Sequence, residues 1–269
     1  MKKYLSFVLA VLMIFSTLTI AFAEDDEPQE PLKYVVLGDS IGYGAGIINH
    51  NEACYGRIVA NTNGYDYVNY AHNGDKTWDL LSKLDNSHVI NDVAQADIIS
   101  ISIGGNNILQ GNIPLAALNI IIGNNSYIDS AVDTVRRDLG PIIEKIKAVN
   151  EDVLILMQTV YSPSRLFKSS CDKVMNKLNG CIYDYLEENP GSFEIVDVFS
   201  AFSDPSGLIA MDGIHPSAKG NIVIAETILE KLAELGYGET TEAVILVEPA
   251  DTYSFAVYYL KVLFAMLIH

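Results

Sequence analysis

The 269-residue chain predicts a three-layer α/β/α sandwich built on a five-stranded, mostly parallel sheet. Five short Val/Ile-rich runs are apolar along almost their whole length, which is typical of strands that are covered on both faces. Longer segments of helical period separate these runs, as the crossover connections of a parallel sheet require. Because 49% of the residues are apolar, the chain can bury a core large enough for one α/β domain.

The first 23 residues have the pattern of a secretory signal peptide. Two lysines precede an uncharged apolar stretch over 4–20, and the Ala-Phe-Ala sequence that ends at Ala23 is a small-x-small cleavage site. The apolar stretch is nearly long enough to be a membrane anchor, which is the alternative. The cleavage site favours a protein that is secreted, or that lies on the extracellular face of the cell envelope.

The mature protein is predicted to be strongly acidic. Loss of the signal peptide removes two lysines and no acid, which changes the net charge from −17 to −19. Such a surface repels nucleic acid and anionic lipid headgroups, and no Lys/Arg cluster counters it. A nucleic-acid-binding function is therefore excluded. The expected partner is a small-molecule or lipid ester, for reasons given below, and the sequence does not indicate the oligomeric state.

The predicted domain spans 32–241, after an acidic, proline-containing linker over 24–31. The clearest helix is predicted over 127–149, where apolar residues recur every three or four positions and Pro141 is expected to bend the helix. Another helix is predicted to begin after Ser217 as N-cap and to stop at Gly236. The predicted strands, in chain order, are 33–37, 66–71, 97–103, 153–159 and 194–199.

Two hydrophobic segments can each be interpreted in two ways. The apolar segment over 108–126, which follows the third predicted strand, forms either the roof of a hydrophobic pocket or an ordinary packed helix and loop. The C-terminal tail over 242–269 is apolar over 255–268 except for Lys261, but these 14 residues are too few to span a bilayer. We expect the tail to pack on the domain, and peripheral membrane or partner contact is the alternative.

Cysteine usage does not indicate a disulfide scaffold. Cys54, Cys171 and Cys181 are an odd number in a chain that is predicted to be secreted. Cys171 and Cys181 are ten residues apart in a predicted helix, a separation of about 15 Å, which is too long for a disulfide. The sequence contains no C-x-x-C, H-x-H or H-E-x-x-H pattern, so we expect neither a metal nor another cofactor.

A serine stands at the mouth of the first predicted strand. The sequence over 38–42 is Gly-Asp-Ser-Ile-Gly, and it places Ser40 on a tight strand-to-helix turn. A hydroxyl in this position is held out of the core, and the backbone amides behind it are free to bind an oxyanion. Taken alone, the same pattern also fits a helix N-cap after a glycine turn, so other residues must decide.

Chemically competent groups also follow the other predicted strands. In an open α/β sheet, ligands bind beyond the carboxyl ends of the strands. Gly74 lies in a turn after the second strand, Asn106 offers a side-chain amide after the third, and Asp212 and His215 come after the fifth. The sequence therefore places four polar motifs at the same edge of the predicted sheet.

These groups match the requirements of attack on an acyl carbon. The reaction needs a hydroxyl (Ser40), a base with a pKa near 6.5 (His215), a carboxylate that orients the base (Asp212), and donors for the developing oxyanion. The three-residue separation of Asp212 and His215 allows one tight turn to bring the carboxylate to the imidazole. The remaining histidines are predicted to be surface or loop residues: His50, His72, His88 and His269.

On these motifs the chain resembles the GDSL-type esterases and lipases, which are also called SGNH hydrolases. The matching blocks lie in family order between about 33 and 220, and they are Gly38-Asp39-Ser40, Asn69 through Gly74-Asp75, Gly104-Gly105-Asn106 and Asp212-x-x-His215. The resemblance implies a flavodoxin-like sheet, Ser40 as nucleophile, Asp212 as orienting carboxylate, and His215 as general base and later acid.

The resemblance further implies an oxyanion hole formed by the amides of Ser40 and Gly74 and the side chain of Asn106. The candidate substrate-binding residues are Asp39, Asn73 and Ile113. Two positions depart from the family pattern: Asn107 stands where Asp is common, and Ala71 where Gly or Ser is common. Neither departure removes a catalytic group, but both leave the local loop geometry open.

The G-x-S-x-G pattern also fits the nucleophile elbow of the α/β-hydrolases. In that fold the elbow follows several strands, whereas only 16 mature residues precede Ser40 and the glycine block comes later. The position of Ser40 therefore argues against this alternative.

The sequence thus predicts a secreted serine hydrolase that cleaves carboxylic esters through an acyl-serine intermediate. Candidate substrates are lipid or lysophospholipid esters, short-chain esters, thioesters and acetyl groups on carbohydrate, and the apolar 108–126 segment favours acyl chains. A non-catalytic cell-surface binding module on the same fold is the alternative. Such a module would be expected to lack a triad or oxyanion residue, and none is missing.

Overall fold

A computed structural model describes residues 30–164 and 167–252. The predicted signal peptide lies outside the described residues, and so does the apolar part of the predicted tail from position 253 onward. Secretion and membrane contact through the tail therefore stay predictions. Within the described part of the chain, no helix combines the length and the apolarity that crossing a bilayer requires.

Five strands form one parallel sheet. They are β1 (Lys33–Gly38), β2 (Asp66–Asn69), β3 (Ile98–Ser102), β4 (Leu154–Gln158) and β5 (Glu194–Val196). Their order is β2-β1-β3-β4-β5, and all four neighbouring pairs are parallel. The predicted α/β fold and its five-stranded parallel sheet are confirmed, and the loops after the strands all open at one edge.

The helices fill the crossovers and the loops at the sheet edge. They are α1 (Ser40–Tyr43), α2 (His50–Ala53), α3 (Tyr55–Asn63), α4 (Thr77–Lys83), α5 (Ser87–Ala94), α6 (Gly105–Leu109), α7 (Ile113–Ile122), α8 (Asn125–Val149), α9 (Lys168–Glu188), α10 (Val198–Ala201) and α11 (Ala218–Glu234).

Alternate residues of β1 show how the three layers are built. Tyr34 and Val36 point into an apolar cluster with α3 and α11, whereas Val35 and Leu37 point into a second cluster with α4, α5 and α8. Because successive side chains of a strand point to opposite faces, helices must cover both sides of the sheet. All of these strand residues are fully buried.

Two predicted strands end more than one residue earlier than expected, for local reasons. The second strand was predicted over 66–71, but β2 ends at Asn69, whose side chain accepts the N–H of Ala71 and turns the chain. The fifth was predicted over 194–199, but β5 ends at Val196. Asp197 then caps α10 by accepting the N–H of Ser200. Short polar side chains that bond nearby amides compete with strand pairing in both places.

The predicted helices agree well with the structure. The helix predicted over 127–149 begins slightly earlier, and α8 runs uninterrupted through Pro141. Ser217 is the N-cap of α11, as expected, since its hydroxyl accepts the N–H of Gly220 at 3.1 Å. Gly236 has the left-handed backbone (φ 78°) that ends a helix.

The segment over 108–126 forms the end of α6, the whole of α7 and the start of α8. Only Ala116 and Asn119 of α7 are buried, and large apolar side chains such as Leu118 (54%) and Ile122 (64%) are exposed. An ordinary packed helix would bury these side chains. The structure therefore favours the other interpretation, the roof of a pocket, since Ile120 lines a cavity that is described below.

The described part of the tail packs against the loop after α1. Thr252 donates its N–H to the carbonyl of Gly46 at 2.8 Å, and Ile48 donates to the carbonyl of Ala250 at 2.7 Å. Asn49 accepts the N–H of Ala250 and donates to the carbonyl of Glu248. These contacts hold residues 248–252 against the domain, and packing of the apolar part of the tail stays a prediction.

All three cysteines are buried and free. Cys171 and Cys181 lie on the same continuous helix, α9. The helix keeps them apart, as the sequence predicted.

Candidate active site

The turn that carries Ser40 is shaped by the neighbouring strand β3. Gly38 has a φ of 126°, and a Cβ at this position would lie 2.0 Å from the carbonyl oxygen of Ser102. The same carbonyl accepts the N–H of Asp39 at 2.9 Å. A side chain at position 38 is thus incompatible with the contact between the two strand ends, which explains the glycine before the Asp-Ser pair.

Asp39, rather than Ser40, caps helix α1. The carboxylate of Asp39 accepts the N–H of Ile41 at 3.0 Å. Ser40 is the first residue of the helix, and its hydroxyl bonds a side chain from the other end of the domain instead. The N-cap interpretation of Ser40 is therefore wrong.

Ser40, His215 and Asp212 form one chain of hydrogen bonds. The Nε2 atom of His215 lies 2.9 Å from the Oγ atom of Ser40. The Nδ1 atom of His215 lies 2.7 Å from the Oδ2 atom of Asp212. The structure therefore brings the three predicted residues together in the order that their predicted roles require, without any change of side-chain conformation.

The tight turn between Asp212 and His215 holds the imidazole in place. The Oδ1 atom of Asp212 accepts the main-chain N–H groups of Ile214 (2.9 Å) and His215 (3.0 Å). The hydroxyl of Tyr161 donates to the carbonyl of Ile214 at 2.7 Å. Asp212 thus shapes the turn with one oxygen and orients the imidazole with the other.

The charge of Asp212 is secured by the same contacts. Burial by itself would raise the pKa of Asp212, but the hydrogen bonds from His215 and from the main chain lower the pKa to about 2. The carboxylate is therefore ionised throughout the physiological range. An ionised partner at Nδ1 keeps the proton on that nitrogen, so the lone pair of Nε2 faces the hydroxyl of Ser40.

Asp39 has the opposite electrostatic character. Its side chain is 4% exposed, and burial raises its pKa to about 7, against the lowering effects of the Ile41 N–H and of His215. The folded protein therefore binds this proton more tightly than the unfolded chain does. By linkage, ionisation of Asp39 reduces the stability of the fold progressively as the pH rises from about 4 to 7.

The predicted oxyanion donors lie in the same cleft as Ser40 and His215. Gly74 (φ 87°) and Asn106 both line this cleft. The Nδ2 atom of Asn106 donates one N–H to the carbonyl of Asp75 at 3.0 Å, which fixes the amide group. Among residues 30–164 and 167–252, none accepts a hydrogen bond from the main-chain N–H of Ser40 or of Gly74. These amides are therefore available to a ligand.

Asn107 ties the two donor loops together. Its side chain is 2% exposed, and it accepts the N–H of Thr77 (3.2 Å) while donating to the hydroxyl of Thr77 (2.9 Å). Thr77 in turn donates to the buried carboxylate of Asp138 at 2.6 Å. Asn107, which follows Asn106, is thus hydrogen-bonded to the first residue of α4, the helix after Gly74. The sequence did not predict this network.

Ala71 packs against helix α1, which begins at Ser40. A Cβ added at Gly42 would lie 2.7 Å from the Cβ of Ala71, so α1 and the loop after β2 are in close contact. Asn69 spans the same contact, since its amide donates to the carbonyl of Gly42 at 2.9 Å. The two positions that depart from the family pattern therefore both have structural partners, and neither disturbs the site.

Two cavities meet at Ser40. The open cleft, of about 620 Å³, contains Ser40, Asp212 and His215 together with the two predicted oxyanion donors. The predicted substrate-binding residues Asn73 and Ile113 also line it. A smaller and more enclosed cavity, of about 110 Å³, lies beside Ser40 and is lined mainly by apolar side chains. Asp39 lines this second cavity instead of the cleft.

The other described histidines stand apart from this hydrogen-bonded chain, and His269 lies outside the described residues. His50 lines the cleft and stacks on Tyr43, with ring centres 4.2 Å apart. His72 is exposed, with Nδ1 3.3 Å from a carboxylate oxygen of Asp75. Within the part of the chain that the structure describes, no group of three or more His, Cys, Asp or Glu residues is arranged to hold a metal ion.

The chain is similar to known proteins in both sequence and structure. A family model described as "GDSL-like Lipase/Acylhydrolase family" matches residues 36–222. The chain is 22% identical to the uncharacterized protein YpmR of Bacillus subtilis, over 80% of this chain and 86% of that protein. It is 24% identical to the spore germination lipase LipC of Bacillus licheniformis, over 77% of this chain and 97% of that protein.

A solved structure of similar fold is that of the lipase Lip_vut3 from a goat rumen metagenome. The two structures superimpose with a TM-score of 0.64, and the match covers 77% of this chain and 98% of that chain. At 22% identity, this likeness establishes a shared fold.

Proposed function

We propose that this chain, which belongs to the GDSL-like Lipase/Acylhydrolase family, cleaves carboxylic esters through an acyl intermediate on Ser40. Family membership supports ester hydrolysis in general. The serine mechanism is carried by one observation, the hydrogen-bonded chain from Ser40 through His215 to Asp212. A binding module without turnover would have no need of this alignment.

In the first half of the reaction, Ser40 becomes acylated. The Oγ atom of Ser40 attacks the carbonyl carbon of the ester while Nε2 of His215 takes the hydroxyl proton. Asp212 stabilises the imidazolium that forms. The tetrahedral intermediate then collapses, the bond to the alcohol oxygen breaks, and His215 returns the proton to that oxygen. The alcohol leaves, and the acyl group stays on Ser40.

In the second half, water takes the place of the alcohol. Nε2 of His215 removes a proton from the water, whose oxygen attacks the acyl carbon. Collapse of the second tetrahedral intermediate breaks the bond to Ser40 and returns the proton to its Oγ atom. The products are one alcohol and one carboxylic acid, and no metal or nucleotide takes part in any step.

The oxyanion of both intermediates is assigned to three donors. These are the main-chain N–H groups of Ser40 and Gly74 and the second N–H of the Asn106 amide. They supply electrostatic stabilisation that is held in place before the substrate arrives.

We expect Asn106→Ala to lower kcat for ester hydrolysis by about 100- to 1000-fold, because one donor to the oxyanion is lost. The measurement is steady-state hydrolysis of p-nitrophenyl butyrate. Asn112→Ala serves as control, since Asn112 is exposed, caps α7 and lies outside the lining of both cavities. An unchanged kcat in a folded Asn106→Ala protein would contradict the oxyanion assignment.

The proposed mechanism is tested directly by covalent labelling. A fluorophosphonate should transfer its phosphonyl group to the Oγ atom of Ser40, with fluoride as the leaving group, and abolish hydrolysis of p-nitrophenyl butyrate in proportion to the labelled fraction. Peptide mass spectrometry locates the adduct. Labelling at another residue, or full activity after stoichiometric labelling of Ser40, would refute the mechanism.

We also propose that the protein acts outside the cytoplasm, as the predicted signal peptide over 1–23 supports. The substrate is expected to be an uncharged or zwitterionic ester, because the acidic surface repels anionic lipid headgroups.

A further inference from the structure

The more enclosed of the two cavities beside Ser40 runs along the carboxyl edge of the sheet, away from β2. Its lining comes from the segments that follow β1, β3, β4 and β5, where Ser40, Ile103, Val160 and Val198 stand. Helices α7 and α9 add Ile120, Cys171 and Met175. We call this space the acyl cavity. It is mainly apolar, and it shares Ser40 and Asn106 with the open cleft.

The position of His215 decides which half of the ester each cavity receives. His215 and Asp212 line the open cleft, and neither lines the acyl cavity. His215 must protonate the leaving alcohol oxygen and later activate the attacking water. The alcohol and the water therefore occupy the cleft side of Ser40, where both exchange with solvent. The acyl group therefore occupies the acyl cavity on the opposite side of Ser40, which is more enclosed than the cleft.

The size of the acyl cavity limits the length of the chain it holds. Its volume is about 110 Å³, whereas an engineered apolar cavity of about 150 Å³ in another protein accommodates a benzene molecule. A linear chain of about four to six carbons is therefore the largest that fits without rearrangement. Shorter acyl groups also fit, but they leave part of the apolar cavity empty. Each missing methylene lowers the binding affinity by about fourfold.

Cys171 and Met175 limit the cavity from the side of α9. They are four residues apart on this helix and therefore share one face. Both are buried. Burial raises the pKa of the Cys171 thiol, which therefore stays uncharged and presents an apolar surface. Neither side chain belongs to the hydrogen-bonded chain or to its oxyanion donors, so both can be enlarged or reduced without removing a proposed catalytic group.

We propose that the acyl cavity binds the acyl chain of the substrate and restricts it to about four to six carbons, with Cys171 and Met175 determining the limit. As a statement about substrate specificity, this inference rests on the proposed ester hydrolysis. It predicts that the protein hydrolyses short-chain esters rather than long-chain lipids.

The first test is a series of p-nitrophenyl esters with acyl chains from acetate to dodecanoate, which keeps the leaving group constant. The wild-type kcat/KM should rise by at least about tenfold from acetate to butyrate, since two methylenes at about fourfold each are gained, and should fall again beyond hexanoate. Cys171→Met fills part of the cavity, so hexanoate should lose at least about tenfold while acetate stays within about threefold. Met175→Ala should shift the optimum to longer chains.

A matched control is Asn176→Met, which places the same side chain on the exposed side of α9. Its chain-length profile should equal that of the wild type. A wild-type profile that keeps rising to dodecanoate, or profiles that Cys171→Met and Met175→Ala leave unchanged, would overturn the proposal.

A second measurement separates the acyl cavity from catalysis. In the Ser40→Ala protein, calorimetry should show hexanamide binding at least about tenfold more tightly than acetamide, and Cys171→Met should remove this preference. If no ester is hydrolysed but hexanamide keeps its advantage, the proposed function fails and the acyl cavity stands. Equal affinity for the two amides would overturn the cavity assignment whatever the activity.

Discussion

Ser40→Ala is expected to lower kcat for ester hydrolysis by about 10⁶-fold, which is the loss that removal of the nucleophile causes in a well-studied serine hydrolase. The variant lacks the oxygen that forms the acyl intermediate, and neither water nor a neighbouring group replaces it. Some acceleration over the uncatalysed rate should remain, because the oxyanion donors and the substrate contacts persist. Hydrolysis of p-nitrophenyl butyrate measures the effect.

The fold should survive this substitution. Among residues 30–164 and 167–252, the Ser40 side chain bonds only the imidazole of His215, and Asp39 continues to cap α1. Ser82→Ala is a matched control, since Ser82 is exposed on α4 and its hydroxyl donates to the local carbonyl of Trp78. We expect both variants to unfold near the wild-type temperature. Substantial activity in folded Ser40→Ala protein would exclude Ser40 as the nucleophile.

The fold could be predicted because each of its determinants is local in sequence. The apolar run of β1 is long enough to mark a buried strand, and the Gly38-Asp39-Ser40 turn follows it directly. Three-residue spacing likewise marks the Asp212 turn, in which the side chain bonds amides only two and three positions away. Patterns of this kind are visible in a single sequence, because the interacting residues are neighbours.

Other features depend on contacts between distant segments and could not be predicted. Asn107 bonds Thr77, which is 30 positions away, and Thr77 bonds Asp138, a further 61 positions along. Nothing in the sequence links these three polar residues before the chain folds. The exposure of α7 is similar, since its sequence left both a pocket roof and a packed helix open, and the structure leaves most of its Ile and Leu residues on the surface.

The shape of the acyl cavity is the strongest example of this limit. Its lining comes from seven segments between Asp39 and Ile214. A void depends on how side chains from all of these segments pack, and a change of one methylene in any of them alters it. The limit on the length of the acyl chain is therefore a property that only the structure could suggest. Ester cleavage itself was already predictable from the sequence motifs.

Asp212→Asn is expected to lower kcat by about 10⁴-fold, although it removes no atom that touches the substrate. Asparagine retains an oxygen that can accept the main-chain N–H groups of Ile214 and His215, so the turn should persist. In place of Oδ2, however, it presents an N–H₂ donor to Nδ1 of His215. The imidazole must then carry its proton on Nε2, where it can no longer accept the proton of Ser40.

The readout that separates this effect from a structural one is the rate of Ser40 phosphonylation. Asp212→Asn should slow labelling by fluorophosphonate roughly as much as it slows ester hydrolysis, because both reactions need the same deprotonation. Asp184→Asn on the exposed face of α9 is the control, since it removes an exposed carboxylate that pairs with the exposed Arg136. Near-normal labelling by a folded Asp212→Asn protein would show that the imidazole does not depend on Asp212 for its orientation, and the triad would then reduce to a pair.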